Sequence, residues 1–277
     1  KRIVLFLNNK TNNEYLKKIY LENLKKKLKQ EQRNHYALKG FKVYSQNDED
    51  GIIEAIFKDI GITNKTFCEV GIGDTIENNT HYLLLKDWKG IWIDSNTKPI
   101  LNLAKKIKKN QSKLDLICKK IYPDNIDKTI KDLKNLIENK IKEIDFFSID
   151  IDSFDLDCVN HLKSISPRLI CIEYNSKFNQ SMELSIKYSK NYSWKMDDYF
   201  GSSLRSIDTI MSNNNYKLIA TNITGSNAFY VKNELINKCI TKDQSIESLY
   251  SPPNFDLFNY NVTHTPTNKY LIDKLNE

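Results

Sequence analysis

Acidic side chains recur where short apolar runs end, and two glycines stand one residue apart behind the first of them. Thr66-Phe67-Cys68-Glu69-Val70 leads into Gly71, Gly73 and Asp74. A strand running into a glycine turn and then a helix makes a place for a nucleotide-like ligand. Glycine lets the backbone approach the ligand closely, and the helix start offers free N–H groups. Asp94 closes the run Ile91-Trp92-Ile93, 25 residues after Glu69. That is about where an acid accepts hydrogen bonds from ribose hydroxyls. The third glycine of a dinucleotide fingerprint would fall at Ile76, which argues against NAD.

Two more clusters follow later strands. In Ser148-Ile149-Asp150-Ile151-Asp152 the two acids share one side of an extended chain, and Glu173 and Asn175 do the same after Ile170-Cys171-Ile172. Up to four such oxygen ligands facing one cleft suit Mg²⁺. The plainer reading has Asp150 bonding the cofactor or a helix start and Glu173 bracing a loop. The candidate bases for a proton transfer are Asp152, Asp155 and His161. His161 has the best intrinsic pKa, but a helical histidine is more often a packing residue. His81 follows the glycine turn and could approach either ligand, whereas His35 and His264 belong to no cluster. Tyr199 reads as a wall for a sugar or as a core aromatic before a capped helix, and Trp88 and Trp92 as packing residues, with Trp92 a lesser candidate for an adenine pocket.

These residues need elements to place them. Apolar spacing predicts an amphipathic helix over Glu14–Gln30 and a second one opened by Tyr44–Gly51 and ended at Gly61. Strands then alternate with helices. The strands are Thr66–Val70, Gly90–Asp94, Leu114–Cys118, Asp145–Ile151 and Arg168–Glu173. The helices between and after them are Asn78–Asp87, Pro99–Lys109, Ile126–Lys142, Leu156–Ser164 and Ser203–Asn213. Tyr216–Thr221 and Ala228–Val231 close the series with Gly225 in the turn between them. Such alternation implies an α/β fold, a Rossmann-like, doubly wound, mostly parallel seven-stranded sheet with one antiparallel strand, plus an N-terminal helical arm. Ligands of such sheets bind beyond the carboxyl ends of the strands. The divisions expected are a basic arm over 1–42, a ligand-binding domain over 43–232, and an extension over 233–277 packed on that domain.

Taken as a set, the motifs resemble the class I S-adenosylmethionine-dependent methyltransferases. Glu69-x-Gly71-x-Gly73 with Asp94 carries the general likeness. Ser45-Gln46 with Glu49-Asp50-Gly51, Asn79-Thr80, Ser148–Asp152, Ile172–Asn175 and Tyr199-Phe200-Gly201 resemble the FkbM-like branch, often found with bacterial surface-polysaccharide genes. The likeness covers roughly residues 40–232. It implies that the glycine turn faces the methionine part of the cofactor and that Asp94 holds the ribose. It also implies cofactor contacts at Gln46, Glu69, Gly71, Gly73, Asp74, Asn79, Thr80 and Asp150. The acid layout is similar to that of metal-dependent catechol- and macrolide-type O-methyltransferases, which places an ion on Asp150, Asp152, Glu173 and Asn175. Thr75 departs from the family, which commonly has a third glycine there. The function implied is O-methylation of a hydroxyl or phosphate-type oxygen on a sugar, or on a capsule, lipopolysaccharide or phosphoramidate precursor.

The 277 residues are 40% hydrophobic and 28% charged, as in an ordinary globular protein. No apolar run reaches the roughly 18 residues a membrane helix needs. The five cysteines lack C-x-x-C spacing and read as reduced thiols of a cytoplasmic protein. The net charge of +7 is unevenly spread: residues 1–42 carry twelve Lys/Arg against three Glu, so the remainder is slightly acidic. A basic groove for nucleic acid is therefore not expected. The arm could meet an anionic membrane face, and the helix Glu14–Gln30 could serve a homodimer. Two alternatives remain beside the methyltransferase: a sugar-nucleotide glycosyltransferase holding a metal–diphosphate on Asp150-x-Asp152, and a non-catalytic module that binds through the arm.

Overall fold

The computed structural model describes residues 2–107, 113–134, 144–195 and 197–254 together with Leu257, Ile272 and Leu275, with backbone alone for 2–14, 133 and 134. The chain opens with a long helix, α1 (Arg2–Gln30), which extends the expected Glu14–Gln30 helix toward the N-terminus. A single 3-10 turn, Ala37–Lys39, leads to α2 (Glu49–Ile60). The alternating series is β1 (Thr66–Val70), α3 (His81–Leu85), β2 (Lys89–Asp94), α4 (Thr97–Ala104), β3 (Leu114–Cys118) and α5 (Ile126–Lys134). It continues with β4 (Phe146–Ile149), α6 (Asp155–His161), β5 (Leu169–Glu173), α7 (Leu204–Asn213), β6 (Tyr216–Thr221) and β7 (Asn227–Lys232). A 3-10 segment, Asn233–Lys238, and a short helix, α8 (Ile246–Leu249), follow. The expected helix over 135–142 lies outside the described residues.

One seven-stranded sheet runs through the molecule in the order β3-β2-β1-β4-β5-β7-β6. All its pairs are parallel except β5–β7 and β6–β7, so β7 alone runs against the rest. The expected Rossmann-like, mostly parallel sheet with one antiparallel strand is therefore the fold. Its order reverses between β1 and β4, the switch point at which such sheets open a crevice.

Alternation along each strand fills both faces. Cys68 and Val70 of β1 join Ile91, Ile93, Phe147 and Ile149 on one side, against Ile126, Ile130, Leu156, Val159, Leu204 and Ile207 of α5, α6 and α7. Phe67 joins Trp92, Phe146, Leu169 and Phe229 on the other, against Ile52, Ile53, Ile56 and Phe57 of α2 and against Ile100 and Leu103 of α4. Both faces buried is the condition under which a parallel sheet is stable. After β7, Leu235 and Ile236 pack into one of these layers, and Ile246 and Leu249 into the other.

Candidate active site

The crevice at the switch point is a cleft of about 470 Å³, within the roughly 300–1,000 Å³ usual for small-molecule sites. Its walls are chain segments that leave the carboxyl ends of four neighbouring strands: Gly71–Asp74 after β1, Ile93–Asn96 at β2, Lys119–Ile121 after β3, and Asp150–Ser153 after β4. Gln46, ahead of α2, and Glu77 complete the rim.

The glycine turn is held from two sides. Gly71 donates its N–H to Ile93 O at 2.9 Å, while Asp150 N donates to Val70 O at 2.9 Å, so the ends of β1, β2 and β4 are locked together. Gly71 has φ +85°, and a Cβ there would stand 1.6 Å from Asp150 O. Gly73 has φ +54° and nothing near its missing Cβ. The first glycine thus serves strand packing, and the second leaves its backbone bare to the cleft. Thr75 has φ +70° and donates its N–H to Ile72 O at 3.0 Å. The position at which the family commonly has a third glycine is therefore left-handed here as well, and a β-branched residue occupies it at a cost.

Asp94 braces that turn. Its Oδ2 accepts the N–H groups of Ile72 and Gly73, each at 2.9 Å, and its Oδ1 accepts Asn96 N at 2.6 Å. A carboxylate offers about four acceptor positions, so Oδ1 keeps capacity for a ligand hydroxyl.

Six of the expected cofactor contacts line the cleft: Gln46, Gly71, Gly73, Asp74, Asp94 and Asp150. Three do not. Glu69 is buried behind the turn, where its carboxylate accepts from Asn79 N at 2.9 Å, Thr80 N at 3.1 Å and the Thr80 hydroxyl. Burial raises its pKa to about 7, against the pull of those donors. Thr80 also accepts from the indole of the fully buried Trp92, and Asn79 reaches Ser148 Oγ at 3.0 Å. These residues hang the start of α3 on β1. Trp92 belongs to that scaffold, and His81 does too: it is buried, stacks on Tyr44 at 3.9 Å, and is held by burial at a pKa of about 4. Lys119, Lys120, Ser95 and Asn96 are lining residues that the sequence reading missed. They follow β2 and β3 directly, so the carboxyl-end rule applied to every strand would have found them.

The acids after β4 and β5 meet by a different route from the one expected. β4 ends at Ile149, and Asp152 sits in a turn with φ +53° rather than on a continuing strand. Asp150, Asp152 and Glu173 nevertheless bring carboxylate oxygens within 4.8 Å of one another. Burial raises Asp150 well above the usual carboxylate range, and Asp152 and Asp155 push the same way. Glu173 is raised for the same reasons, burial first and then Asp150. No Lys or Arg pairs with the three acids among the described residues, and Glu173 Oε2 has no hydrogen-bond partner. Asn175 is not one of the group. Its amide donates to Asp198 O and Phe200 O, and its Oδ1 accepts Lys177 N, so it braces a loop.

Asp155 is buried and accepts from Ile151 N at 2.8 Å and Ser153 N at 3.1 Å, which shapes the turn that carries Asp152. His161 is exposed at the far end of α6, with Nδ1 2.7 Å from Asp157 O. Of the three expected bases, only Asp152 lines the cleft. Beside it the long connection from β5 to α7 carries an aromatic group. Phe154 packs on Tyr188 and Tyr192 at 4.9 and 5.4 Å, and Tyr192 meets Tyr199 at 6.2 Å. Tyr199 is 53% exposed.

No family model matches the chain, and no curated protein matches it. Solved structures give distant likenesses. TrmK of M. capricolum, in complex with S-adenosyl-homocysteine, is 12% identical over 64% of this chain and 65% of that one, at a TM-score of 0.31. An O-methyltransferase family protein from Burkholderia thailandensis is 9% identical over 65% of this chain and 55% of its own, at 0.37. The glycopeptide N-methyltransferase MtfA, complexed with sinefungin, is 10% identical over 69% and 87%, at 0.39. At such TM-scores the likeness carries no argument about function, which has to come from this chain's own residues.

Proposed function

We propose that the protein is a S-adenosylmethionine-dependent methyltransferase acting on a sugar or sugar-linked hydroxyl. The observation that carries the reading is one cleft with two unlike ends. At one end a bare glycine backbone is braced by an acid with acceptor capacity to spare; at the other stand carboxylates without cations. A cofactor with ribose hydroxyls and a positive sulfonium complements both.

S-adenosylmethionine, when bound, supplies an electrophilic methyl group. The chain has to align the acceptor with it and receive a proton. Gly73 admits the ligand against its backbone, and Asp94 accepts from the ribose. Asp152, raised by burial, takes the proton of the acceptor hydroxyl. Asp155 is a positioning residue that holds the Asp152 turn. Tyr199 and Tyr192 offer the flat apolar surface on which a sugar ring stacks. The setting inferred for such an acceptor is the assembly of a bacterial surface glycan in the cytoplasm.

One observation favours a divalent ion as well. Three carboxylates within 4.8 Å, one with an orphaned buried oxygen, form a hard donor set of the kind Mg²⁺ prefers. Asp150, Asp152 and Glu173 would hold it, and it would supply Lewis-acid polarisation of the acceptor oxygen. Calorimetric titration with Mg²⁺ and Mn²⁺ checks this: uptake that Glu173→Gln abolishes supports the ion, and no uptake leaves Asp152 as the base. The cofactor reading is tested by thermal shift with S-adenosylhomocysteine, NAD and a UDP-sugar. A ligand at 100 times its Kd stabilises by ~2.7 kcal/mol, so only S-adenosylhomocysteine should raise the melting temperature by degrees. A shift with the UDP-sugar alone would instead favour glycosyl transfer through Asp150 and Asp152.

A further inference from the structure

Among the described residues, helix α1 carries apolar side chains on two sides, and only one side packs on the body. Leu21, Leu24 and Leu28 pack on Ile223 and Leu257. At 100° per residue, Tyr15, Leu16 and Ile19 point the opposite way, and they are 65%, 61% and 37% exposed. Tyr20, 48% exposed, borders the body-facing side, where its hydroxyl donates to Asn254 Oδ1 at 3.2 Å. Lys26 and Lys27 continue the outer face toward the C-terminus, Lys18 and Lys29 flank it, and all four are exposed. Exposed Tyr15, Leu16 and Ile19 bordered by lysines suit contact with a membrane interface, where ammonium groups reach anionic head groups as the apolar groups enter the acyl boundary.

The outer face also has a definite place. Ile223 follows β6, which runs parallel to β5 because β7 opposes both. α1 therefore lies on the carboxyl edge of the sheet, the edge on which the cleft opens. Lys25 Nζ donates to Gly40 O at 3.2 Å, and Lys42 Nζ donates to Gln46 O at 2.9 Å, so the segment after α1 runs directly to the cleft rim.

We infer that α1 docks the protein on an anionic phospholipid surface, with the cleft on the docking side. Charge complementarity selects this occupant. Residues 1–42 carry twelve basic groups against three acidic ones, so pairing the face with a second copy would bring two strongly positive segments together. A bilayer rich in anionic lipid offers the opposite charge and an apolar layer at once. The methyl-transfer reading does not enter this inference, so either can fail without the other.

Co-sedimentation of the full chain with vesicles tests it. One set is phosphatidylcholine alone, and the other contains about one third phosphatidylglycerol. Binding to the anionic set should be at least ~10-fold stronger and should weaken steeply as salt rises. Leu16→Asp with Ile19→Asp, and separately Lys18→Gln with Lys26→Gln, Lys27→Gln and Lys29→Gln, should each weaken it at least ~10-fold. These side chains are exposed, so melting temperatures should hold; if a variant unfolds, lipid composition and salt still decide with the unaltered protein. Absence of vesicle binding, or binding indifferent to lipid charge, overturns the proposal. So does a homodimer in sedimentation velocity that Leu16→Asp dissolves while vesicle binding is nil, or binding confined to RNA.

Discussion

Thr75 shows how much one residue can carry. Its φ of +70° costs a β-branched side chain about 1–2 kcal/mol relative to glycine. Thr75→Gly and Thr75→Ala both delete the hydroxyl and methyl of the side chain, but only glycine relieves the backbone. The glycine variant should be more stable than the alanine variant by about 1 kcal/mol in chemical denaturation. The two turn glycines should separate in a similar way. Gly71→Ala pushes a methyl into Asp150 O and should cost at least ~3 kcal/mol or prevent folding. Gly73→Ala meets no atom, so it should fold with a loss of only ~1 kcal/mol while weakening S-adenosylhomocysteine binding. Equal stability losses in the two variants would contradict these separate roles.

At the scale of elements, the approach to α2 gathers buried acids. Asp50 Oδ2 accepts the N–H groups of Val43, Tyr44 and Ser45, which ties down the loop carrying Gln46. Asp48, buried beside it, has no hydrogen-bond partner for either oxygen. Burial and then Glu49 raise its pKa from 3.8 to about 8. The folded state thus holds this proton longer than the unfolded chain, and the stabilisation present below about pH 4 is lost as pH rises through about 8. His81 acts in the other direction, because burial lowers it from 6.5 to about 4. Its contribution is present above pH 6.5 and is lost as pH falls through about 4. The two contributions cancel between about pH 4 and 6.5, so together they leave the ligand-free protein losing stability from about pH 6.5 to about pH 8. Asp48→Asn should gain at least ~1.4 kcal/mol over the parent between pH 6 and pH 8, the worth of one pKa unit. Melting curves at both pH values read this directly, and parallel losses in parent and variant would remove Asp48 as the cause.

The strands and the one antiparallel member among them were legible in the sequence because apolar runs bounded by glycine and acids leave few alternatives. β1, β3 and β6 fall on their expected bounds. What the sequence could not show was which acids turn inward. Glu69 looked like a ligand contact because it stands beside the glycines, but alternation along β1 buries it against α3. Asp150 and Asp152 were expected together because a strand has period two. They meet instead because Asp152 adopts a left-handed turn, which no periodicity announces. Asn175 follows the end of β5, and there the loop claims it before any ligand can.

For the whole molecule, the sheet, the cleft at its switch point and α1 share one edge. No helix among the described residues is long and apolar enough to cross a membrane, and the inferred bilayer contact is made by the face of α1. Activity on a lipid-carried acceptor should then exceed activity on the same acceptor in solution, measured on anionic vesicles. The central claim remains the cofactor, and calorimetric titration of S-adenosylhomocysteine into the pure protein tests it most directly. One site per chain is expected, weakened at least ~10-fold in Asp94→Asn, where the acceptor charge is lost but the shape is kept. A folded protein that takes up no S-adenosylhomocysteine at saturating concentration, or binds it equally well as Asp94→Asn, would contradict the account.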